Sequence, residues 1–355
     1  MPSDSLVRLA EEHGVVTQLL AGLEAQDAHD APQRVPPALL QSLRSARKAQ
    51  AFSTLALTAE LFRILELLQK ANLAPAVIKG PSLALRAYGD AATRHYGDID
   101  LLLRHSQVAR ASLILATAGF HARVPRAAMQ AGKTPGQYFF RRPQSGAVIE
   151  LHTERTLRYF PRTLPIEDFL RRQTTLTLDG RLLPVLSDAD EFVLISIHGA
   201  KHFWERLMWI SDIAAMVHRH PELSWPRIRQ SAAEVGADRM VRIALLLAER
   251  LLGVPVPAEM KREVAADSAC LPMIAKIESW LPYAGFDPPP LAQRALFRLR
   301  MRGHLLAGAR YLTRLSFSTT EEDWSRDPQS PTASLSETLR RPWRLAKKYR
   351  RNLER

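Results

Sequence analysis

The chain has 355 residues, is 46% hydrophobic, and carries one cysteine and a formal net charge of +13. That length can bury a real core and suggests about two or three domains. A lone thiol, Cys270, excludes an intramolecular disulfide and a cysteine-built zinc centre, and it suits a reducing compartment. The opening MPSDSLVRLAEEHG has no apolar signal core, and VRIALLLAERLLGVPVP is broken by Arg242, Glu249 and Arg250. A cytoplasmic protein with no transmembrane helix is therefore expected.

In chain order, one helix is expected over roughly 6–23, followed by a polar, proline-containing link. Pro36–Pro37 opens a second helical region, and AFSTLALTAELFRILELLQKAN (51–72) repeats apolar residues at helical spacing. APAVIKG reads as a short strand and PSLALRAYG as a helix with Pro81 near its first turn. GDIDLLL is the next strand, and a helix over about 106–118 follows. GQYFFRR, SGAVIELH and TTLTLDGRLLPVL make a β-rich stretch, the last turning at Asp179–Gly180. From Asp188 to about Phe317 the pattern is helical. The expected fold class is α/β (α+β), with a small mixed sheet of four or five strands between N-terminal helices and a helical C-terminal half. The expected divisions are an N-terminal helical region (1–72), an α/β core (73–186), a C-terminal helical domain (187–317), and a polar linker with a basic tail (318–355). Eight arginines and lysines against one glutamate crowd residues 340–355. About half of the net charge thus belongs to a tail that suits an anionic surface, either a membrane or RNA.

The chemistry begins with RHYGDIDLLLR (94–104). On a strand, residues i and i+2 share a face, so Asp98 and Asp100 would stand side by side with Ile99 turned into the core. Two carboxylates so close call for a divalent cation. Glu150 in AVIELH becomes a third acid if its strand neighbours GDIDLLL. Three carboxylates around one or two Mg²⁺ suit phosphoryl or nucleotidyl transfer. In the blander reading, Asp98 caps a turn after Gly97 and Glu150 meets a surface arginine. Upstream, VIKGPSLALRAYGD sets Gly80 at a strand end and Ser82 near a helix start. Backbone N–H groups, a hydroxyl and the charge of Lys79 could there meet a phosphate. Arg94 and His95 are further candidates to approach a triphosphate. SIHGAKHFWERLMWISDIA, read as one helix, aligns Lys201, Glu205, Met208 and Asp212 on one stripe, with His198 and His202 one turn apart. On this reading Trp204 and Trp209 are core residues, and Asp212 orients Lys201 or Arg206.

Taken together, K-G-x-S-L-A-L-R-x-Y-G-D, R-x-x-G-D-I-D-L-L-L, I-E-L-H and H-G-A-K-H-x-W-x-R-L-x-W-x-x-D resemble an uncharacterised bacterial nucleotidyltransferase family. It belongs to the polymerase-β-like superfamily, and its members occur in lasso peptide and surface-polysaccharide gene clusters. The resemblance runs from about Lys79 to Asp212. It implies a polymerase-β-like core with Asp98 and Asp100 as the metal-binding pair and Glu150 as the third carboxylate. It also implies Gly80 and Ser82 as the phosphate turn, and phosphate contact by Lys201. Mg²⁺ (or Mn²⁺) and an NTP, ATP by default, would be cofactor and co-substrate, with an unidentified acceptor. Pro81 departs from the usual adjacent glycine–serine pair and removes one N–H. Two alternatives stay open: a non-catalytic scaffold that docks a biosynthetic partner protein, and an RNA-directed transferase.

Overall fold

The computed structural model describes residues 3–29, 35–130, 136–154, 162–283, 291–303, 305–317, 339–340 and 342–344. The polar linker and most of the basic tail therefore lie outside the described residues.

At the N-terminus two helices, α1 (Ser3–His13) and α2 (Val16–His29), replace the single expected one. Gly14 takes φ 67°, and the Val15 N–H reaches back to the Ala10 carbonyl at 2.9 Å. A left-handed glycine closing a helix end explains the break. The next helix, α3 (Pro37–Lys70), runs unbroken for 34 residues. It merges two expected segments, because no glycine or proline separates them and Pro37 sits harmlessly in the first turn.

Among the described residues seven strands form one sheet, against the four or five expected. They are β1 (Ala76–Ile78), β2 (Ile99–Leu102), β3 (His121–Ala122), β4 (Gln137–Arg141), β5 (Val148–His152), β6 (Thr174–Leu178) and β7 (Arg181–Val185), in the order β3-β4-β5-β2-β1-β7-β6. The surplus is the two-residue exposed β3, too short to pattern, and the full separation of the β6–β7 hairpin. β1 and β2 pair antiparallel, whereas β2–β5 and β1–β7 are parallel, so the sheet is mixed. The helices after β1 are α4 (Gly80–Tyr88), α5 (Val108–Thr117), α6 (Arg126–Gln130) and α7 (Ile166–Arg171). The helical half comprises α8 (Asp188–Lys201), α9 (Leu207–Arg219), α10 (Trp225–Val235), α11 (Asp238–Leu252), α12 (Ala258–Ala266), α13 (Cys270–Trp280), α14 (Leu291–Arg300) and α15 (Leu305–Phe317). No helix among the described residues is long and apolar enough to cross a membrane.

Central β2 is buried along its whole length, and its alternation assigns the two faces. Leu101 and Ile99 pack with Val77, Ile149 and Leu61 in the core beneath α3 and α5. Leu102 packs with Ile78, Phe192 and Trp204 in the core shared with α8 and α9. Asp100, two residues from Leu102, therefore points toward the helical half.

The long helix read through SIHGAKHFWERLMWISDIA is two helices. Phe203 and Trp204 take φ 60° and 47°, and the Trp204 N–H bonds to the Gly199 carbonyl at 2.9 Å. Both side chains are buried, so burial of the aromatics holds a turn that local propensity opposes. Gly199 makes the turn possible. A β-carbon there would overlap the Trp204 indole nitrogen and stand 2.7 Å from its Cδ1. Gly199→Ala is expected to destabilise the protein by about 1–3 kcal/mol or more through overpacking. Urea unfolding would show this as a lower midpoint, and an unchanged midpoint would mean that Trp204 repacks freely.

Candidate active site

β1 ends at Ile78, and the chain then turns sharply into α4. Lys79 adopts φ 55°, ψ −142°, a region costly for a residue with a β-carbon, and Gly80 follows at φ 45°. Two side chains hold the turn. Glu191 on α8 accepts the Lys79 N–H through Oε1 at 2.9 Å, and the Ser82 hydroxyl donates to the Lys79 carbonyl at 2.6 Å. The result aims the Lys79 ammonium at Asp100, with Nζ 2.8 Å from Oδ2.

Strand register assembles the rest. Asp100 on β2 lies opposite Glu150 on β5, and Leu102 opposite His152. Because β2 and β5 are parallel neighbours, Asp100, Glu150 and His152 emerge on one face. His152 Nε2 is 2.5 Å from Asp100 Oδ1 and 3.5 Å from Glu150 Oε2. Gln137 on β4 donates to Glu150 Oε2 at 2.5 Å. One ligand atom from each of Asp100, Glu150 and His152 lies within 4.8 Å of the others, a spacing that could hold a metal ion. Asp98, half-buried just before β2, stands beside this trio and feels the charges of Asp100, Lys79 and Glu150.

Residues 2–253 match the model of a family described as an uncharacterised nucleotidyltransferase. The chain belongs to that family. Its mixed sheet flanked by N- and C-terminal helices is the architecture of the polymerase-β-like nucleotidyltransferases. Among solved structures, an antigenic nucleotidyltransferase-like protein from Paracoccidioides brasiliensis is similar at 17% identity. That similarity covers 57% of this chain and 87% of the other, with a TM-score of 0.33. No curated protein matches the chain.

In this nucleotidyltransferase-family chain, Asp100 and Glu150 lie in one cluster with His152, Asp98 stands outside those three ligands but within their field, and Lys79, expected at a phosphate, pairs with Asp100. Gly80 lies in the adjoining turn. Ser82 is fully buried, with its proton committed to the Lys79 carbonyl. Lys201 ends α8, where its charge bears on His198 and His202. The single stripe through Lys201 and Asp212 does not exist, since the two residues lie on separate helices. Glu205 instead faces Arg294 at 3.5 Å. Asp212 accepts from Arg94 Nε at 2.9 Å and from the Tyr88 hydroxyl at 3.0 Å. Arg94 is buried in that pair and serves to tie the approach to β2 onto α9. His152, set beside Glu150 by the i, i+2 spacing but given no role, and Glu191 are the contributors that sequence reasoning did not assign. The E-x-H spacing of Glu150 and His152 was a usable signal for the first, whereas nothing local marked Glu191, 112 residues from its partner.

The electrostatics follow from burial. For Asp100, burial alone would favour the neutral acid, but the Lys79 ammonium and His152 overcome it and hold the carboxyl well below the usual range. Burial would likewise disfavour charge on Lys79 and His152, yet the surrounding carboxylates raise both. Burial and the neighbouring Asp100 charge push Asp98 up to about 6. On the α8 side the balance reverses. His198 is driven well below its ordinary value by burial and then by Lys79, His202, Lys201 and Arg94. His202 falls to about 3 through burial and the charges of Lys201, Lys79, Arg298 and Arg206.

Two histidines held neutral predict an acid-sensitive fold. Their folded values lie below the unfolded value near 6.5, so the unfolded chain binds protons first and stability falls as pH drops through 6.5. Each should cost about 1 kcal/mol between pH 6.5 and 5.5, or about 2 kcal/mol together. His13 and His95, also lowered by burial, act in the same direction. Asp98 opposes them, since its raised value adds stability as pH falls from about 6 toward 3.8. His152, raised, contributes stability that is lost as pH climbs. Buried Glu191 and Asp212, raised by burial, also gain stability as pH falls, so the histidine contribution is read by difference: in urea unfolding at pH 7.5, 6.5 and 5.5, wild type should lose about 1 kcal/mol more than His202→Asn. An equal slope in that variant would refute the assignment.

Proposed function

We propose that the protein is a Mg²⁺-dependent nucleotidyltransferase. It moves an NMP, AMP by default, from an NTP to a hydroxyl, phosphate or carboxylate acceptor with release of pyrophosphate. The observation that carries this reading is the Asp100–Glu150–His152 cluster, with Asp98 beside it, facing the strained Lys79–Gly80 turn. The donor set fits a divalent cation. Carboxylate oxygens suit Mg²⁺, and the imidazole nitrogen of His152 would be equally at home with Mn²⁺.

Asp98, Asp100 and Glu150 would hold the ion, which neutralises phosphate charge and orients the triphosphate when bound. The Gly80 N–H lies at the start of α4, where an anion is favoured, while the Lys79 N–H is held by Glu191 and Pro81 has none. Lys79 and Lys201 add positive charge toward the phosphates. Glu150, fixed through one oxygen by Gln137 and His152, takes the proton of the acceptor hydroxyl. The acceptor oxygen then bonds to the α-phosphorus as the bond from that phosphorus to the bridging oxygen breaks, and pyrophosphate leaves with the electron pair. The helical half, packed on the same face of the sheet, would select the acceptor: a small molecule, a peptide or a natural-product intermediate of the kind that lasso peptide clusters make. A cytoplasmic site of action, a biosynthetic partner protein and contact of the basic tail with an anionic membrane or RNA complete the proposal.

The test is incubation with each α-³²P-labelled NTP, Mg²⁺ and a cell extract, with an Asp98→Ala/Asp100→Ala variant as control. A labelled product formed only by the wild type supports the reading, and its chemical class identifies the acceptor. No product, with no thermal stabilisation by any NTP, would replace it with the scaffold alternative.

A further inference from the structure

Positive charge is unevenly placed along this chain. Between Asp287 and Glu321 the sequence has six arginines and no acidic residue. Those six and the net +7 of residues 340–355 make up the whole +13, so the remainder of the chain, the acidic cluster included, is neutral in sum. The family match ends at residue 253, and this cationic part lies beyond it.

The helices here divide their arginines between two faces. Arg294 and Arg298 on α14 lie over the Phe203 ring at 5.2 and 4.7 Å, and Arg302, just past that helix, lies 3.7 Å over Tyr311. With buried Phe297 these contacts fasten α14 to Phe203 and α15 to the segment that follows α14, so their role is structural. The outward face differs. On α15, Leu306, Arg310, Thr313 and Phe317 fall at i, i+4, i+7 and i+11, and all four are exposed, while Gly308 and Tyr311 are buried on the opposite side. On α14, exposed Gln293, Leu296 and Arg300 likewise share a face. A helix face turned to water ordinarily carries polar side chains. Here Leu306 is 86% exposed, and Leu296, Leu312 and Phe317 are exposed as well. Further on, Trp343 is 80% exposed and Leu339 is also at the surface. Thirteen large apolar side chains are exposed among the described residues, and six of them belong to this last part of the chain. Apolar and cationic surface are therefore concentrated together.

A nucleic acid would answer the arginines, but leucine and phenylalanine gain nothing against sugar and phosphate. An anionic bilayer answers both halves. Arginines meet the headgroup phosphates while leucine, phenylalanine and tryptophan enter the boundary with the acyl chains. We propose that the outward face of α14 and α15 docks the protein on a membrane surface bearing anionic phospholipids. This places docking on a folded face rather than on the tail alone, and it does not rest on the nucleotidyl-transfer reading.

The experiment is cosedimentation of the full chain, in EDTA and without nucleotide, with phosphatidylcholine vesicles containing about one-third phosphatidylserine. Four proteins are compared: wild type, Leu306→Ser/Phe317→Ser, Arg300→Gln/Arg310→Gln, and Leu55→Ser as a control at an exposed leucine on α3. Wild type should bind these vesicles at least tenfold more tightly than vesicles of phosphatidylcholine alone. Each double variant should bind at least tenfold more weakly than wild type, and Leu55→Ser should match it. All the substituted side chains are exposed, so the variants should keep their fold, which their unfolding curves confirm. Wild-type affinity in Leu306→Ser/Phe317→Ser would overturn the proposal, because attraction of cations alone does not need the apolar pair. No binding by wild type would overturn it too. So would a dimer formed without vesicles that Leu306→Ser/Phe317→Ser dissociates, since a second copy would then cover the face. Tighter binding to an oligoribonucleotide than to the vesicles, weakened in both double variants, would assign the face to nucleic acid instead.

Discussion

Asp100→Asn is expected to lower nucleotidyl transfer by about 10³-fold or more, since a metal-held phosphoryl charge is worth several kcal/mol and each 1.36 kcal/mol is tenfold in rate. Asparagine keeps the shape of the side chain and removes only the negative charge, so the loss reads the charge directly. Alanine is the poorer choice. From the D-x-D motif alone, Asp100→Ala should spare the fold, but Asp100 is 3% exposed and is the partner of both Lys79 and His152. Both changes leave two buried cationic groups short of their counter-charge, but truncation also removes both acceptor oxygens, a further defect, whereas asparagine keeps one. Turnover of labelled NTP should therefore be measured beside urea unfolding for Asp100→Asn. A variant that folds and keeps more than a tenth of wild-type turnover would remove Asp100 from the reaction.

Lys79→Met should be the most destabilising single change at the site, by about 3–5 kcal/mol in the presence of EDTA. Lys79 is buried, and its ammonium stands 2.8 Å from Asp100 Oδ2, with Asp98 and Glu150 also within its field. Methionine fills similar volume and leaves three carboxylates with His152 as their nearest positive partner. A divalent cation can supply the missing charge. Mg²⁺ or Mn²⁺ should accordingly raise the melting temperature of Lys79→Met far more than that of wild type, where the ammonium already occupies part of the same field. Equal stabilisation of the two proteins would show that Lys79 and the metal occupy separate places.

Much of this was legible in the sequence, and for local reasons. The two-residue period of RHYGDIDLLLR set Asp100 on the face away from inward Ile99, and AVIELH carried Glu150 and His152 by the same rule. Helical spacing marked most of the N- and C-terminal helices, and the motif order pointed to the nucleotidyltransferase family that the chain matches. The failures also had local causes. A left-handed residue such as Trp204 leaves no trace in hydrophobic periodicity, so α8 and α9 read as one helix and put Lys201 in line with Asp212. Which carboxylate meets which cation was a matter for the tertiary structure alone. The parallel register that sets Asp100 opposite Glu150, the grip of Glu191 on the Lys79 turn and the burial of Arg94 against Asp212 join residues 50 to 118 positions apart. Periodicity determines the face a side chain takes, but the partner across that face is chosen by how the sheet and helices pack.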